Sequence, residues 1–368
     1  MRSRTATMYF YLFGQQVRQQ AMALTRCKMR VAVPLILLVS LLAGCDNATT
    51  PDKLPTNTMG YPKTVTTALG TAVINQPPQR IVALGTGSED ILLDLGIVPI
   101  GIESHRWGGD FDGYLPWFRE EIERRGATLP AIIEMYPELD IEKIINLQPD
   151  LILATQSGIT QENYDHLSHF VPVIAYPEKP WQTTPRQQIA LAAQVLDKTE
   201  QGKKLIAELD SMLTQTGNAI PNIARYHFAY IKAGTTSNTL SIYVKNDPRV
   251  DTLVHLGLSL LSLVDSLTAP FGNFAANIGL ENADLLNGAD ILVTWYNSEK
   301  ERQETEAQPL FRSIRAVKQG GYIPLTDQSI VMSMSYGSPL SLRWGLPKFM
   351  PLLKQELLKQ EIAKHDEP

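Results

Sequence analysis

Three short segments of this chain are apolar at successive positions: Ile81-Val82-Ala83-Leu84, Leu151-Ile152-Leu153-Ala154 and Ile291-Leu292-Val293. A strand with water on one side alternates apolar and polar residues. A strand without alternation is buried on both faces, as in a parallel sheet covered by helices. Helical patterns lie between the strands. Ser88 is placed to cap a helix through Leu95, with Gly96 as its stop, and Asp140 to cap one through Leu147. Val250–Leu256, closed by Gly257, and Glu281–Leu286 also read as helices. Val98–Ile102, Val171–Ala175 and Tyr226–Ile231 read as further strands. This alternation specifies an α/β chain.

The second half repeats the first. Leu95-Gly96-Ile97 matches Leu256-Gly257-Leu258, and Glu142–Leu153 matches Glu281–Val293 with one extra residue. Two similar Rossmann-like lobes are the simplest account. Between them Thr183-Thr184-Pro185 opens a helix, with apolar residues at 189, 192, 193 and 196, then at 205, 206, 209 and 213. The pattern predicts one long α-helix, or two in series. About 30 helical residues would reach roughly 45 Å.

The N-terminal segment has another purpose. Arg26, Lys28 and Arg30 precede the apolar run Val31–Leu42. That run is short for a bilayer and has the form of a signal-peptide core. It ends in Leu42-Ala43-Gly44-Cys45, which resembles the bacterial lipobox, so Cys45 is the expected lipidation site. The prefix is long for a signal peptide, and Met22 and Met29 are both plausible starts. The expected organisation is a signal peptide over 1–44, a lipidated tether over 45–63 and an N-terminal lobe over 64–182. A connecting helix over 183–217 and a C-terminal lobe over 218–368 follow. Cys27 falls in the removed part, so the mature chain has no thiol for a disulfide or a thiolate metal site.

Composition excludes some functions. A net charge of −5 with no basic cluster gives no support for nucleic-acid binding. Gly85-Thr86-Gly87 has Asp90 where a dinucleotide fingerprint needs its third glycine. No Walker loop or G-x-S-x-G elbow occurs, and Tyr336-Gly337-Ser338-Pro339 reads as a turn. His166 and His169 could share a helical face, but a metal site needs further ligands, and a solvated face is the simpler reading.

Several blocks carry a resemblance: Pro78-Gln79-Arg80-Ile81-Val82-Ala83-Leu84, Leu139-Asp140-Ile141-Glu142-Lys143-Ile144 and Leu147-Gln148-Pro149-Asp150-Leu151-Ile152. With the lipobox, they resemble the periplasmic ferric-siderophore-binding proteins of ABC importers, over roughly residues 64 to 360. Cobalamin-binding proteins share that fold. The resemblance implies two α/β lobes joined by a long helix, a ligand cleft between them and no catalysis. It also implies a lipid-anchored, extracytoplasmic protein that works with membrane permease subunits. A monomer with no cofactor of its own is expected.

The chemistry of the ligand then selects candidates. A ferric siderophore is a compact, often anionic chelate that holds the iron itself, so no direct metal ligand is needed. Its site requires aromatic walls and guanidinium groups. Open α/β sheets place ligands at strand ends. In the first lobe Arg106, Trp107, Tyr136 and Trp181 qualify; in the second Trp295, Tyr296, Tyr336 and Arg343 do. Each is equally plausible as a packing residue, and Arg343 could simply cap the last helix. In the resembling family a carboxylate on each lobe meets arginines on the permease, which points to Glu142 and Glu281, with Glu89 as the rival in the first lobe. Cobalamin or haem capture on the same fold, with Tyr136 or Tyr336 as an axial haem ligand, stays open. So do an exported enzyme and a surface-interaction lipoprotein.

Overall fold

The computed structural model describes residues 60–234 and 238–366, with side chains to residue 362. Cys45 and the expected signal segment lie outside the described residues. The fold begins before the expected end of the tether. Tyr61 is buried with its hydroxyl donating to the Val195 carbonyl at 2.8 Å, and Lys63 opens the first strand.

Strands β1 (Lys63–Thr67) and β2 (Gly70–Ile74) form an antiparallel hairpin. β3 (Ile81–Ala83), β4 (Gly101–Glu103), β5 (Ala131–Ile133), β6 (Leu151–Leu153) and β7 (Val173–Ile174) form a five-stranded parallel sheet in the order β5-β4-β3-β6-β7. The unalternated strands are buried on both faces, as predicted. Ile81 and Ala83 enter one core cluster, whereas Val82 and Leu84 enter another on the opposite face.

The second lobe repeats half of that plan. β8 (His227–Ala233), β12 (Ile291–Trp295) and β13 (Tyr322–Leu325) are parallel neighbours. β9 (Thr239–Tyr243) runs antiparallel to β8, and β11 (Ala275–Gly279) antiparallel to β9; short β10 (Ser259–Leu260) pairs with the start of β8. The sheet is therefore mixed.

The repeat is nevertheless real at the paired motifs. Asp150, just before β6, accepts hydrogen bonds from the backbone amides of Gln79 and Arg80 at 2.7 and 2.8 Å. Asp290, just before β12, accepts from the His227 amide at 2.9 Å. Each aspartate ties its strand to the start of the first strand of that lobe's main sheet, β3 or β8, and the pairings Ile81↔Leu151 and Phe228↔Ile291 follow. Asp140 caps its helix as expected, accepting from the Lys143 amide at 2.9 Å. Ser88 is instead the first helical residue, after Gly87 in the left-handed region at φ 86°. The expected helix over Glu281–Leu286 is a 3-10 segment, Leu280–Gly288, broken at Asn282.

The connection between the lobes consists of two helices, Pro185–Val195 and Thr199–Asn218. A capping box between Thr184 and Gln187 starts the first. The chain turns at Asp197, in the left-handed region at φ 57°, and the second helix returns alongside the first. A Cβ at Gly202 would lie 2.4 Å from that of Ala193, and Arg186 pairs with Asp210 and, at 2.7 Å, with Asp251. The predicted 45 Å reach is thus folded back, and the 20-residue helix spans about 30 Å. A second tie comes from the helix Pro339–Asp366, which packs on the first-lobe helices Ser88–Asp94 and Pro116–Arg124. Trp344 and Trp117 meet there with ring centroids 5.4 Å apart.

Candidate functional site

Each sheet changes direction once. In the first lobe the chain adds β4 and β5 on one side of β3, then β6 and β7 on the other; in the second, β8 and β12 flank the equivalent break. Such switch points open a crevice at the carboxyl ends of the strands. Gly85-Thr86-Gly87 follows β3, and the Thr86 amide donates to the Gln156 carbonyl beyond β6 at 2.9 Å. Gly85 has φ 80°, and a Cβ there would sit 2.5 Å from that carbonyl oxygen, so the two loops close only around glycine. In the second lobe the Lys232 ammonium at the end of β8 donates to the Trp295 carbonyl at 3.1 Å.

An aromatic and guanidinium cluster grows from this second switch point. The Trp295 indole donates to the Tyr243 hydroxyl at 2.8 Å. Arg249 lies over the Tyr243 ring at 4.0 Å and near Phe274 at 5.3 Å. Asp247 holds the guanidinium through two bonds of 2.8 and 2.7 Å, and Ser335 accepts from it at 3.1 Å. Lys232 stands over Trp295 at 4.3 Å. Burial pushes its pKa down and Glu301, at 2.7 Å, opposes this; the balance lies below the ordinary lysine value.

The first lobe reaches across to the cluster. Trp107 meets Trp295 edge to face at 5.1 Å, and its indole donates to Asn297 at 3.0 Å. Ser329 donates to the Gly108 carbonyl at 2.9 Å. A Cβ at Gly108 would sit 2.2 Å from Met332, so glycine permits this approach of the two lobes. On another side Gln182 donates to the Asn273 carbonyl at 3.0 Å.

Of the residues picked from sequence, Trp107 and Trp295 are brought together. Trp181 is half-buried with its indole against Gly158. Arg106 is exposed and paired with Glu134 at 3.0 Å. Tyr136 is half-buried, and burial followed by the Glu103 charge pushes its hydroxyl pKa up. The other three lie elsewhere. Tyr296 follows Trp295 on extended chain, so it faces the opposite side, where its hydroxyl meets that of Tyr322 at 2.7 Å. Tyr336 is fully buried, and its hydroxyl donates to Glu89 at 2.7 Å. Arg343 pairs with Asp94 at the far end of Ser88–Asp94, about 10 Å from that helix's start.

Sequence reasoning missed Lys232, Tyr243, Arg249, Phe274 and Asn297. One signal was available for Arg249. Asp247-Pro248-Arg249 is a helix start, with Asp247 accepting from the Arg249 amide and proline in the first turn. That start places Arg249 at the head of a helix.

A buried acidic network lies beside the cleft. Glu89 meets His105 at 2.8 Å, and Asp90 accepts from Trp117 at 2.9 Å and Ser338 at 2.6 Å. Oε2 of Glu89 and Oδ1 of Asp90 have no partner among the described residues. Burial, then the Glu89 charge, pushes the Asp90 carboxyl well above the usual carboxylate range. Burial also raises Glu103. For His105 burial acts downward, but Glu89 and then Glu103 outweigh it and the pKa is raised. All three groups favour protonation in the folded state. Their contribution is present below the unfolded pKa values and is lost as pH rises through the folded ones. Thermal melts should therefore show Asp90→Asn raising stability more at pH 8 than at pH 5. An equal effect at both pH values would mean that Asp90 is ionised in the fold.

Glu142 and Glu281 are exposed, each in the first turn of its helix, and neither has an ion-pair partner among the described residues. Glu89 is fully buried, which removes the rival in the first lobe from any docking surface.

Comparison with known proteins agrees with this architecture. In Bacillus subtilis, a probable siderophore-binding lipoprotein, YfiY, is 27% identical over 189 residues, covering 50% of this chain and 54% of that protein. The match thus spans about half of that relative. A putative ABC transporter substrate-binding lipoprotein, YhfQ, is 24% identical over 302 residues, covering 80% and 88%. Among solved structures, PiaA of Streptococcus pneumoniae in complex with ferrichrome superposes with a TM-score of 0.74 at 29% identity, covering 80% of this chain and 99% of that one. The family model for periplasmic binding proteins matches residues 81–328, and this chain belongs to that family.

Proposed function

We propose that this protein is the substrate-binding component of an ABC importer and captures a ferric siderophore between its lobes. The supporting observation is the cluster of part-exposed Trp107, Phe274 and Arg249 backed by buried Trp295 and Tyr243, which joins the first lobe to the switch point of the second. Aromatic faces suit the organic arms of a chelate, and a guanidinium suits the oxygen atoms around its iron. Relatives named as siderophore-binding and transporter-associated lipoproteins support the same reading. The protein acts as a monomer without a cofactor of its own or direct iron ligation. Cys45 carries the lipid that holds it at the outer face of a membrane, and Glu142 and Glu281 meet the permease.

The test is titration of the purified protein with ferric siderophores, followed by tryptophan fluorescence. Trp107 and Trp295 should be quenched, with dissociation constants of about 1 μM or tighter. Ligand at about 100 times its dissociation constant should stabilise the fold by about 2.7 kcal/mol. Quenching by haem or cobalamin, with no response to any ferric siderophore, would overturn the proposal.

A further inference from the structure

The two lobes meet at a run of polar contacts whose direction is set by donor and acceptor chemistry. Lys232, at the end of β8, donates to the Trp295 carbonyl at 3.1 Å and to Oε1 of Glu301 at 2.7 Å. A carboxylate has only acceptors. The second oxygen of Glu301, Oε2, accepts from both the backbone and the side-chain amide of Asn297, the latter at 2.9 Å. With its NH2 group engaged there, Asn297 turns Oδ1 the other way. That oxygen accepts from the Trp107 indole of the first lobe at 3.0 Å. An indole N–H only donates, so a flipped Asn297 amide would bring two donors together at Trp107 and two acceptors together at Glu301. Gln328 donates to the Asn297 carbonyl at 3.2 Å. The Lys232 and Glu301 side chains are each only 18% exposed, so a lost partner in this run costs more than it would on open surface.

We propose that Glu301 is a positioning residue for ligand capture: held by Lys232, it fixes the Asn297 amide and, through it, the Trp107 ring of the opposite lobe. The inference rests on the siderophore reading and adds to that site a residue that need not touch the ligand. Trp107 is the part-exposed aromatic that the first lobe contributes, and it stands edge to face on buried Trp295 at 5.1 Å. Lys232 lies over that same Trp295 ring at 4.3 Å. One ion pair thus braces both tryptophans, one directly and one through Asn297. A ring already fixed loses little freedom when a ligand lands on it, which favours binding. Capping the helix Glu299–Glu306, where Glu301 stands in the first turn, needs only the bond from the Asn297 backbone amide. It needs neither Lys232 nor a bond across the lobes, so the two roles separate by experiment.

Iron(III) complexes of a trihydroxamate, a tricatecholate and citrate are titrated into the full chain by calorimetry, and the tightest becomes the probe. Glu301→Gln cannot offer an acceptor to Lys232 and to Asn297 at once, and Asn297→Ala removes the link to Trp107. Each should weaken binding by about tenfold. In a Trp107→Phe background, which has no indole N–H, the same substitutions should change affinity by less than about twofold. The chain has five tryptophans, few enough for nitrogen–proton spectra to resolve their indoles, and Trp107→Phe identifies its signal. In ligand-free Glu301→Gln that signal should move, while those of Trp117 and Trp344, which pack on each other, stay in place. Equal losses in both backgrounds, or an unmoved Trp107 signal, overturn the inference and leave Glu301 as a helix cap. Tighter binding by either variant overturns it too, because the contact would then hold the cleft shut. Failure of the unaltered protein to bind any complex overturns the siderophore reading, and the indole signal still decides whether Glu301 positions Trp107.

Discussion

Replacing Glu142 and Glu281 together with alanine should reduce chelate uptake by about tenfold or more, while the purified protein binds its ligand as before. Both carboxylates are exposed and without an ion-pair partner among the described residues. Each lies in the first turn of a segment that leads to Asp150 or Asp290 and then to a central strand. That shared context makes the two lobes present equivalent charges. Two charges on one body fix orientation as well as attraction, and exposed charges act chiefly through association rate and register. Each single substitution should leave partial uptake with a shallower salt dependence, because one fewer charge remains for salt to screen. Normal uptake by the double variant would remove both residues from the docking surface. Lost ligand affinity would place them in the cleft.

Substituting Arg249 should damage both fold and binding. Arg249→Ala removes the group lying against Tyr243 and Phe274 and leaves Asp247, at 1% exposure, without its cation. Stranding one partner of a buried ion pair costs about 3–5 kcal/mol. At about 2–4 °C per kcal/mol, the melting temperature should fall by roughly 6–12 °C or more. Tryptophan quenching by ligand should be lost at concentrations that saturate the unaltered protein. The double variant Arg249→Met with Asp247→Asn separates the two roles. It has no stranded charge, so most of the stability should return, while binding stays weak for lack of the guanidinium. Recovery of binding in that variant would show that Arg249 serves the fold alone.

Local signals set much of this chain directly. The unalternated runs at 81–84, 151–154 and 291–293 specify strands buried on both faces, because no position in them can face water. Pro149-Asp150 and Ala289-Asp290 mark equivalent strand starts, because each aspartate ties its strand to the first strand of its lobe's main sheet. Asp140 and the Thr184–Gln187 box fix helix starts through bonds to nearby amides. Trp295, the last residue of β12, and Trp107, in the loop after β4, are legible as aromatics at or beyond strand ends.

What depends on distant partners was not legible. Whether the two connecting helices run on or fold back turns on one left-handed residue, Asp197, and on Arg186 reaching Asp210 and Asp251. The antiparallel direction of β9 and β11 comes from their pairing with β8, which a strand's own composition does not encode. The site depends on such partners most of all. Arg249 and Arg343 are both arginines near the head of a helix, yet one lies between aromatic rings at the cleft and the other is held by Asp94 far from it. Sequence supplied the aromatic and guanidinium side chains but did not single out Tyr243, Arg249 or Phe274 among them. Packing between elements far apart in the chain decided which of them meet, because a side chain's neighbours are set by how its element docks.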